Sequence, residues 1–226
     1  MKKVKALFFN GSPRRNWSTH KALEKAMEGA REAGAETRLY HLYDYSNRGC
    51  LSCFSCKLKE DRTHGLCALR DEMTPVLEDT LDADVIVIGS PVYVHSQTAM
   101  TRAFLERLLY PIITYWIDEK TGRKVRYLDR TVFTGFIYTM NNSARTCPDR
   151  FYDKIFGKTK DMMQYAYGHH EVLNIYDTYQ FSDYTRYVCN QFDEKKKAYV
   201  RETQFPQDLE KAYEMGKRLT EMAAAE

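Results

Sequence analysis

The sequence predicts an α/β fold, a doubly wound five-stranded parallel sheet with helices on both faces, and three observations predict it. Apolar runs at 6–9, 84–89 and 131–138 are short and nearly continuous, as in strands buried on both sides. Each run stops in a polar loop. Stretches with apolar residues at helical spacing lie between the runs. Ligands of such sheets bind beyond the carboxyl ends of the strands, where strand order reverses, so those polar loops are where function is expected.

In chain order, Ala6-Leu7-Phe8-Phe9 is the first strand and Ser18 and Thr19 are N-cap candidates for the helix that follows. Leu23, Met27 and Ala30 mark its buried face and Gly34 its end. Glu36 to Leu42 is a second strand near a sheet edge, and Met73, Val76, Leu77 and Leu81 form a helix face over 71–81, with Pro75 in its first turn. Asp84 to Gly89 is the third strand, followed by a helix through Met100, Phe104 and Leu108. Residues 111–130 read as an inserted hairpin that turns at Asp118 to Gly122. Thr131 to Tyr138 is the fourth strand, 151–167 a helix and 171–176 the fifth strand. Leu209, Ala212, Gly216 and Leu219 mark the closing helix. The irregular stretch with Phe181, Tyr184, Tyr187 and Phe192 fits an interface, an aromatic-substrate wall or a tail over the core.

At 226 residues, 43% hydrophobic and 29% charged, the chain is expected to fold as one domain over 1–226, with a cysteine loop at 48–68. A net charge of +3 does not imply a nucleic-acid surface, and Lys195-Lys196-Lys197 reads as a solvated face. No apolar run is long enough for a membrane span, and the run after Met1-Lys2-Lys3 is cut by Asn10 and Gly11 before a signal sequence forms. A cytoplasmic location is expected, with the six cysteines reduced or serving as ligands.

The loop at 10–19 carries Asn10, Ser12, Arg14, Arg15, Asn16, Ser18 and Thr19 ahead of a helix N-terminus, where unpaired N–H groups and partial positive charge suit phosphate. It is neither a Walker A loop nor a G-x-G-x-x-G fingerprint, and it has no cysteine nucleophile. Ser90-Pro91-Val92-Tyr93-Val94-His95-Ser96-Gln97 forms a second loop of this kind and Thr139-Met140-Asn141-Asn142-Ser143 a third.

Gly11-Ser12-Pro13-Arg14 with Ser18-Thr19 resembles the FMN phosphate loop of the flavodoxin-like NADPH-dependent FMN reductases and iron-sulfur flavoproteins. Ser90-Pro91-Val92-Tyr93 resembles the second flavin loop of that family, and Ala103-Phe104-Leu105-Glu106-Arg107 the start of its dimer-facing helix. The resemblance implies a flavodoxin-like fold, FMN as cofactor and NAD(P)H as co-substrate. It places Ser12, Arg14, Asn16, Trp17, Ser18 and Thr19 at the phosphate, and Pro91, Val92, Tyr93 and Val94 along the ring. Tyr138, Thr139 and Met140 are expected at the ring's polar edge. A homodimer is also implied, with a small molecule or protein as electron acceptor.

Cys50-x2-Cys53-x2-Cys56 followed by Cys67 is a way to wrap a 4Fe-4S cluster, and it resembles the compact cysteine motif of the iron-sulfur flavoproteins. Ten residues, among them Asp61, Arg62 and His64, separate Cys56 from Cys67. A zinc site, a redox disulfide and plain thiols are the other readings. Cys147 and Cys189 have no metal spacing and are expected as small buried hydrophobes. The function expected is that of an FMN-dependent oxidoreductase passing electrons from NAD(P)H to a quinone, flavin, nitroaromatic or protein. The alternatives are an electron carrier with FMN and a 4Fe-4S cluster, and a non-enzymatic zinc module.

Overall fold

Strand and helix alternate along the chain, interrupted only by the β4–β5 pair: β1 (Lys5–Asn10), α1 (Ser18–Glu32), β2 (Glu36–His41), α2 (Thr74–Asp79), β3 (Val85–Pro91), α3 (Ala99–Leu109), β4 (Ile113–Ile117), β5 (Lys124–Arg126), β6 (Val132–Thr139), α4 (Asp149–Tyr167), β7 (Gly168–Ile175) and α5 (Glu194–Ala225) among the described residues. The computed structural model describes residues 3–60, 63, 65–147 and 149–226. Met1, Lys2, Asp61, Arg62, His64 and Pro148 lie outside the described residues.

Five strands pair in the order β2-β1-β3-β6-β7, every neighbouring pair parallel, which is the flavodoxin-like arrangement. The central strands are the ones with unbroken apolar runs: β6 is buried at all eight positions, and β1 at all but Lys5. Edge strand β2 alternates instead. Leu7, Phe9, Ile86 and Ile88 pack with α3 and α4 on one face, while Ala6, Phe8, Val85 and Val87 pack with α1 and α5 on the other. Each large apolar side chain so buried contributes about 1.5–3 kcal/mol.

Two glycines let α1 and α5 touch backbone to backbone. A Cβ at Gly216 would stand 1.9 Å from the Ala26 carbonyl oxygen, and one at Gly29 would stand 2.1 Å from that of Tyr213. Gly34, with φ +91°, ends α1: the Ala35 N–H donates to the Ala30 carbonyl and the Gly34 N–H to that of Arg31.

Several expectations need correction. Trp17, not Ser18 or Thr19, occupies the N-cap of α1, because the helix already includes Ser18. α2 covers only Thr74–Asp79, and Leu81 beyond it is 38% exposed rather than on a buried face. The closing helix begins at Glu194, fifteen residues before Leu209, with Asp193 accepting from the N–H groups of Lys195 and Lys196; Pro206 sits within it. Lys197 is not solvated: it is 2% exposed, and its Nζ donates to Asp177 at 2.5 Å and to the Asn141 carbonyl. Burial pulls the Lys197 ammonium below its usual range, and Asp177 opposes that shift. Cys147 is buried as expected, whereas Cys189 is half-buried.

The 111–130 segment contains antiparallel β4 and β5, turning through Gly122 at φ +66°. Tyr115 and Trp116 on β4 are exposed. No helix among the described residues is long and apolar enough to cross a membrane.

Candidate functional site

Because the helices after β1 and β3 pack on opposite faces, the loops at the ends of these adjacent strands diverge and leave a cleft. Its first wall is the turn after β1. Asn10 is fully buried, and its Oδ1 accepts from the Ser12 N–H at 3.0 Å; Ser12 Oγ accepts in turn from the Arg14 N–H at 3.1 Å. The Gly11 N–H donates to the Gly89 carbonyl at 2.8 Å, and the Thr98 hydroxyl donates to the Gly11 carbonyl at 2.8 Å. Only glycine fits there, since a Cβ would lie 1.8 Å from Thr101 Oγ1. No side chain of the N-cap residue takes the first N–H groups of α1.

The second wall follows β3. Tyr93 and Ser96 exchange both backbone hydrogen bonds at 2.9 Å across Val94 and His95, whose φ values are +50° and +59°. A left-handed β-branched residue is strained, and Val94 is held there at the exposed tip of the turn. Tyr93 lies at the base of that turn, half-open, and burial pushes its phenol upward. The His95 ring meets Phe151 edge-on, with centroids 5.4 Å apart.

The third wall comes from β6 and from a segment after β7. Thr139 Oγ1 lies 2.6 Å from Thr19 Oγ1, joining the end of β6 to the first turn of α1 through their hydroxyls. Tyr179 and Gln180 then cross the cleft: Trp17 Nε1 donates to the Tyr179 carbonyl at 2.7 Å, and Arg14 Nη1 to that of Gln180 at 2.6 Å. The Asn141 amide nitrogen donates to Gln180 Oε1 at 2.8 Å, while Asn141 Oδ1 is buried without a hydrogen-bond partner among the described residues. With this strap in place the cleft measures about 90 Å³.

Ser12, Arg14, Trp17, Ser18, Thr19, Pro91, Val92, Tyr93 and Thr139 therefore border one cleft. Four of the sequence-predicted residues do not. Asn16 borders a neighbouring cavity with Lys21 and Arg201, on the other side of Trp17. Val94 points outward, 97% exposed. Tyr138 is 1% exposed and stacked between Phe136 and Phe156, its hydroxyl accepting from Gln97. Met140 is 2% exposed in the same core, and its backbone N–H and carbonyl pair with Ile175 and Thr178. The side chains of Tyr138, on β6, and Met140, just beyond it, are packed in the core, turned away from the cleft that Thr139 borders. Asn141 and the 178–180 strap were missed as site residues. The polar tail of the third loop held the only sequence signal for Asn141.

The cysteine loop lies beyond α3. Ser52 and Phe54 adopt φ +55° and +57°, and a single 3-10 turn follows at Ser55–Lys57. These two left-handed residues bend the chain so that all four predicted cysteines border one cavity of about 20 Å³. Cys50 and Cys53 are exposed, Cys67 half-buried and Cys56 buried. Hydrogen bonds from Ser55 hold the Cys53 thiol below its usual range. Arg107 of α3 forms part of the cavity wall, with its side chain wholly buried and paired to Asp71 at 2.7 and 3.0 Å. Glu106 next to it accepts from the Cys50 N–H at 3.1 Å. Among the described residues no three His, Cys, Asp or Glu side chains stand at metal-binding separation. The cavity would have to widen as four sulfurs drew around a cluster.

Residues 4–131 match the NADPH-dependent FMN reductase family. The chain belongs to this family. An iron-sulfur flavoprotein of Archaeoglobus fulgidus is 36% identical to it over 104 residues, which is 46% of this chain and 48% of that protein. The chain thus spans about half the length of this relative. Among solved structures, azoreductase from Bacillus anthracis superposes with a TM-score of 0.66 at 14% identity, covering 95% of this chain and 99% of that one. An NAD(P)H:quinone oxidoreductase from Methanothermobacter marburgensis superposes with a TM-score of 0.65 at 13% identity, covering 96% and 98%. At such identities these likenesses speak to the flavodoxin-like fold alone.

Proposed function

We propose that this FMN reductase family member binds FMN in the cleft between the β1 and β3 loops and passes electrons from NAD(P)H to a quinone, flavin, nitroaromatic or protein acceptor. The observation that carries this reading is the convergence of three strand-end loops on one cleft whose hydrogen-bonding capacity is partly unspent. The Ser12 hydroxyl accepts from Arg14 and keeps its own proton to donate. Thr19 and Thr139 share one hydrogen bond and so retain a second hydroxyl proton between them. With the N–H groups that open α1 and the Arg14 guanidinium, these form a donor set for a phosphate. Asn141 Oδ1, buried and unpartnered, suits the imide N–H of a flavin ring.

A cleft of 90 Å³ is too small for such a ligand, which needs several hundred. Binding therefore calls for Arg14 to exchange the Gln180 carbonyl for phosphate, and for the 178–180 strap to move with it. FMN, when bound, supplies the redox chemistry. The residues here anchor it, place Tyr93 beside it and exclude water.

A second reading is favoured by the cysteine cavity: Cys50, Cys53, Cys56 and Cys67 hold a 4Fe-4S cluster, and the chain serves as an electron carrier between cluster and flavin. Its cytoplasmic location and homodimeric assembly are part of the same proposal. Exposed Tyr115 and Trp116 beside the apolar groove between α3 and α4 are consistent with a partner subunit.

The test is anaerobic titration with FMN by fluorescence quenching, followed by NAD(P)H oxidation with a quinone as acceptor. Tight quenching with turnover supports the oxidoreductase. Tight quenching without NAD(P)H oxidation, but with electron uptake from dithionite, selects the carrier. Absence of quenching sinks both.

A further inference from the structure

The geometry points to Arg107 as the residue that sets the redox potential of the group held by the four cysteines, by donating its Nε–H to a sulfur in their shared cavity. This inference rests on the proposed 4Fe-4S reading and adds to it a residue outside the cysteine motif.

Arg107 lies one position past the glutamate that binds the Cys50 backbone, so α3 carries two consecutive side chains into the cysteine loop. Both terminal nitrogens are engaged: Nη1 and Nη2 donate to Asp71 at 2.7 and 3.0 Å, and Nη2 spends its second N–H on the Leu69 carbonyl at 3.1 Å. Nε is buried and has no hydrogen-bond partner among the described residues. A buried donor left without a partner is costly, the more so on a charged group, and a fold rarely accepts it without a use. Asp71 orients the fork, because a bidentate pair fixes the guanidinium plane and therefore the direction of the Nε–H. Arg107 itself lines the cavity that the four thiols border.

Hydrogen bonds to sulfur and net charge are two of the levers that set the potential of an iron-sulfur cluster. A cluster held by four thiolates gains one negative charge on one-electron reduction, with no bond made or broken. A donor aimed at its sulfurs stabilises the reduced form more than the oxidised one. Arg107 is thus a positioning and tuning residue; the electron comes from the flavin in the proposed cycle, or from dithionite in the assay.

The test is a potentiometric titration of the reconstituted protein, read by visible absorbance and electron paramagnetic resonance, with iron and acid-labile sulfide measured on the same samples. Arg107→Lys keeps a cation near Asp71 but removes Nε–H. With wild-type iron and sulfide content, its ratio of reduced to oxidised cluster at a fixed ambient potential should fall about tenfold, a shift of about 59 mV for a one-electron couple. An unchanged midpoint at full iron content overturns the inference while leaving the cluster reading intact. Wild-type protein that takes up no iron or sulfide on anaerobic reconstitution overturns the cluster reading itself. Should Arg107→Lys not retain its cluster, the wild-type protein decides: with 15N-labelled arginine, pulsed electron paramagnetic resonance of the reduced cluster should show a coupling from an arginine nitrogen, and its absence overturns the proposal.

Discussion

Asn10, Ser12 and Arg14 are tied to one another at 3.0 and 3.1 Å before any ligand arrives, whereas Cys50, Cys53, Cys56 and Cys67 share a cavity wall but stand at different depths from solvent. The first loop grows out of a buried strand and is fixed by its neighbours, Gly89, Thr98 and Thr101. The second is a length of irregular chain held at its edge by Glu106, Arg107 and Asp71. A preorganised loop loses little freedom on binding. In the proposed cluster reading the cysteine loop would take its final geometry from the metal, so that its folding and its loading would be one event. The two loops should accordingly respond to substitution in opposite ways.

The largest effect is expected at Gly11. Gly11→Val forces a Cβ to within 1.8 Å of Thr101 Oγ1, and overpacking at this level costs about 3 kcal/mol or more. Thermal melts should show a midpoint lower by about 6–12 °C, with FMN binding lost. Next, Cys67→Ser should abolish nearly all iron uptake on reconstitution while FMN quenching stays at the wild-type level, showing the loops to be independent.

A control away from both loops is His170, which is 7% exposed on β7. The Thr134 hydroxyl donates to the His169 carbonyl at 2.6 Å, so it must accept from His170 Nδ1–H at 2.8 Å. Burial lowers its pKa from 6.5 to about 4. The unfolded chain therefore takes up a proton between pH 6.5 and 4 that the folded chain does not, and stability falls with pH through that window by about 3 kcal/mol. His170→Asn should flatten that limb of a urea-denaturation profile, leaving both loops as they were.

Arg14→Gln removes a charge-assisted donor worth about 1.5–3 kcal/mol, so FMN should bind roughly 10- to 100-fold more weakly, and the Gln180 strap should loosen in hydrogen exchange. The smallest effect is expected at Val94, where Val94→Gly relieves a left-handed β-branched residue and should raise stability by about 1 kcal/mol in denaturant titrations.

The sheet was legible from sequence because Ala6 to Phe9, Val85 to Ile88 and Val132 to Tyr138 carry apolar runs that only strands buried on both faces require. The loop after β1 was legible because hydroxyls and cations at a helix start have few other uses. What stayed hidden depends on distance along the chain. Nothing near Tyr179 or Gln180 signals that Trp17 and Arg14, more than 160 residues earlier, would hold them across the cleft. Lys197 looked solvated within a run of lysines, since only the fold brings Asp177 and the Asn141 carbonyl to it. Likewise Arg107 read as part of a dimer-facing helix until Asp71 was seen to turn it inward.

The most direct test of the whole account is the absorbance spectrum of anaerobically purified protein, with flavin, iron, sulfide and zinc quantified on the same sample. The account predicts one FMN per chain; about four irons with matching sulfide would add the cluster of the carrier reading, and flavin without iron would leave the oxidoreductase alone. Stoichiometric zinc without flavin bands would contradict it.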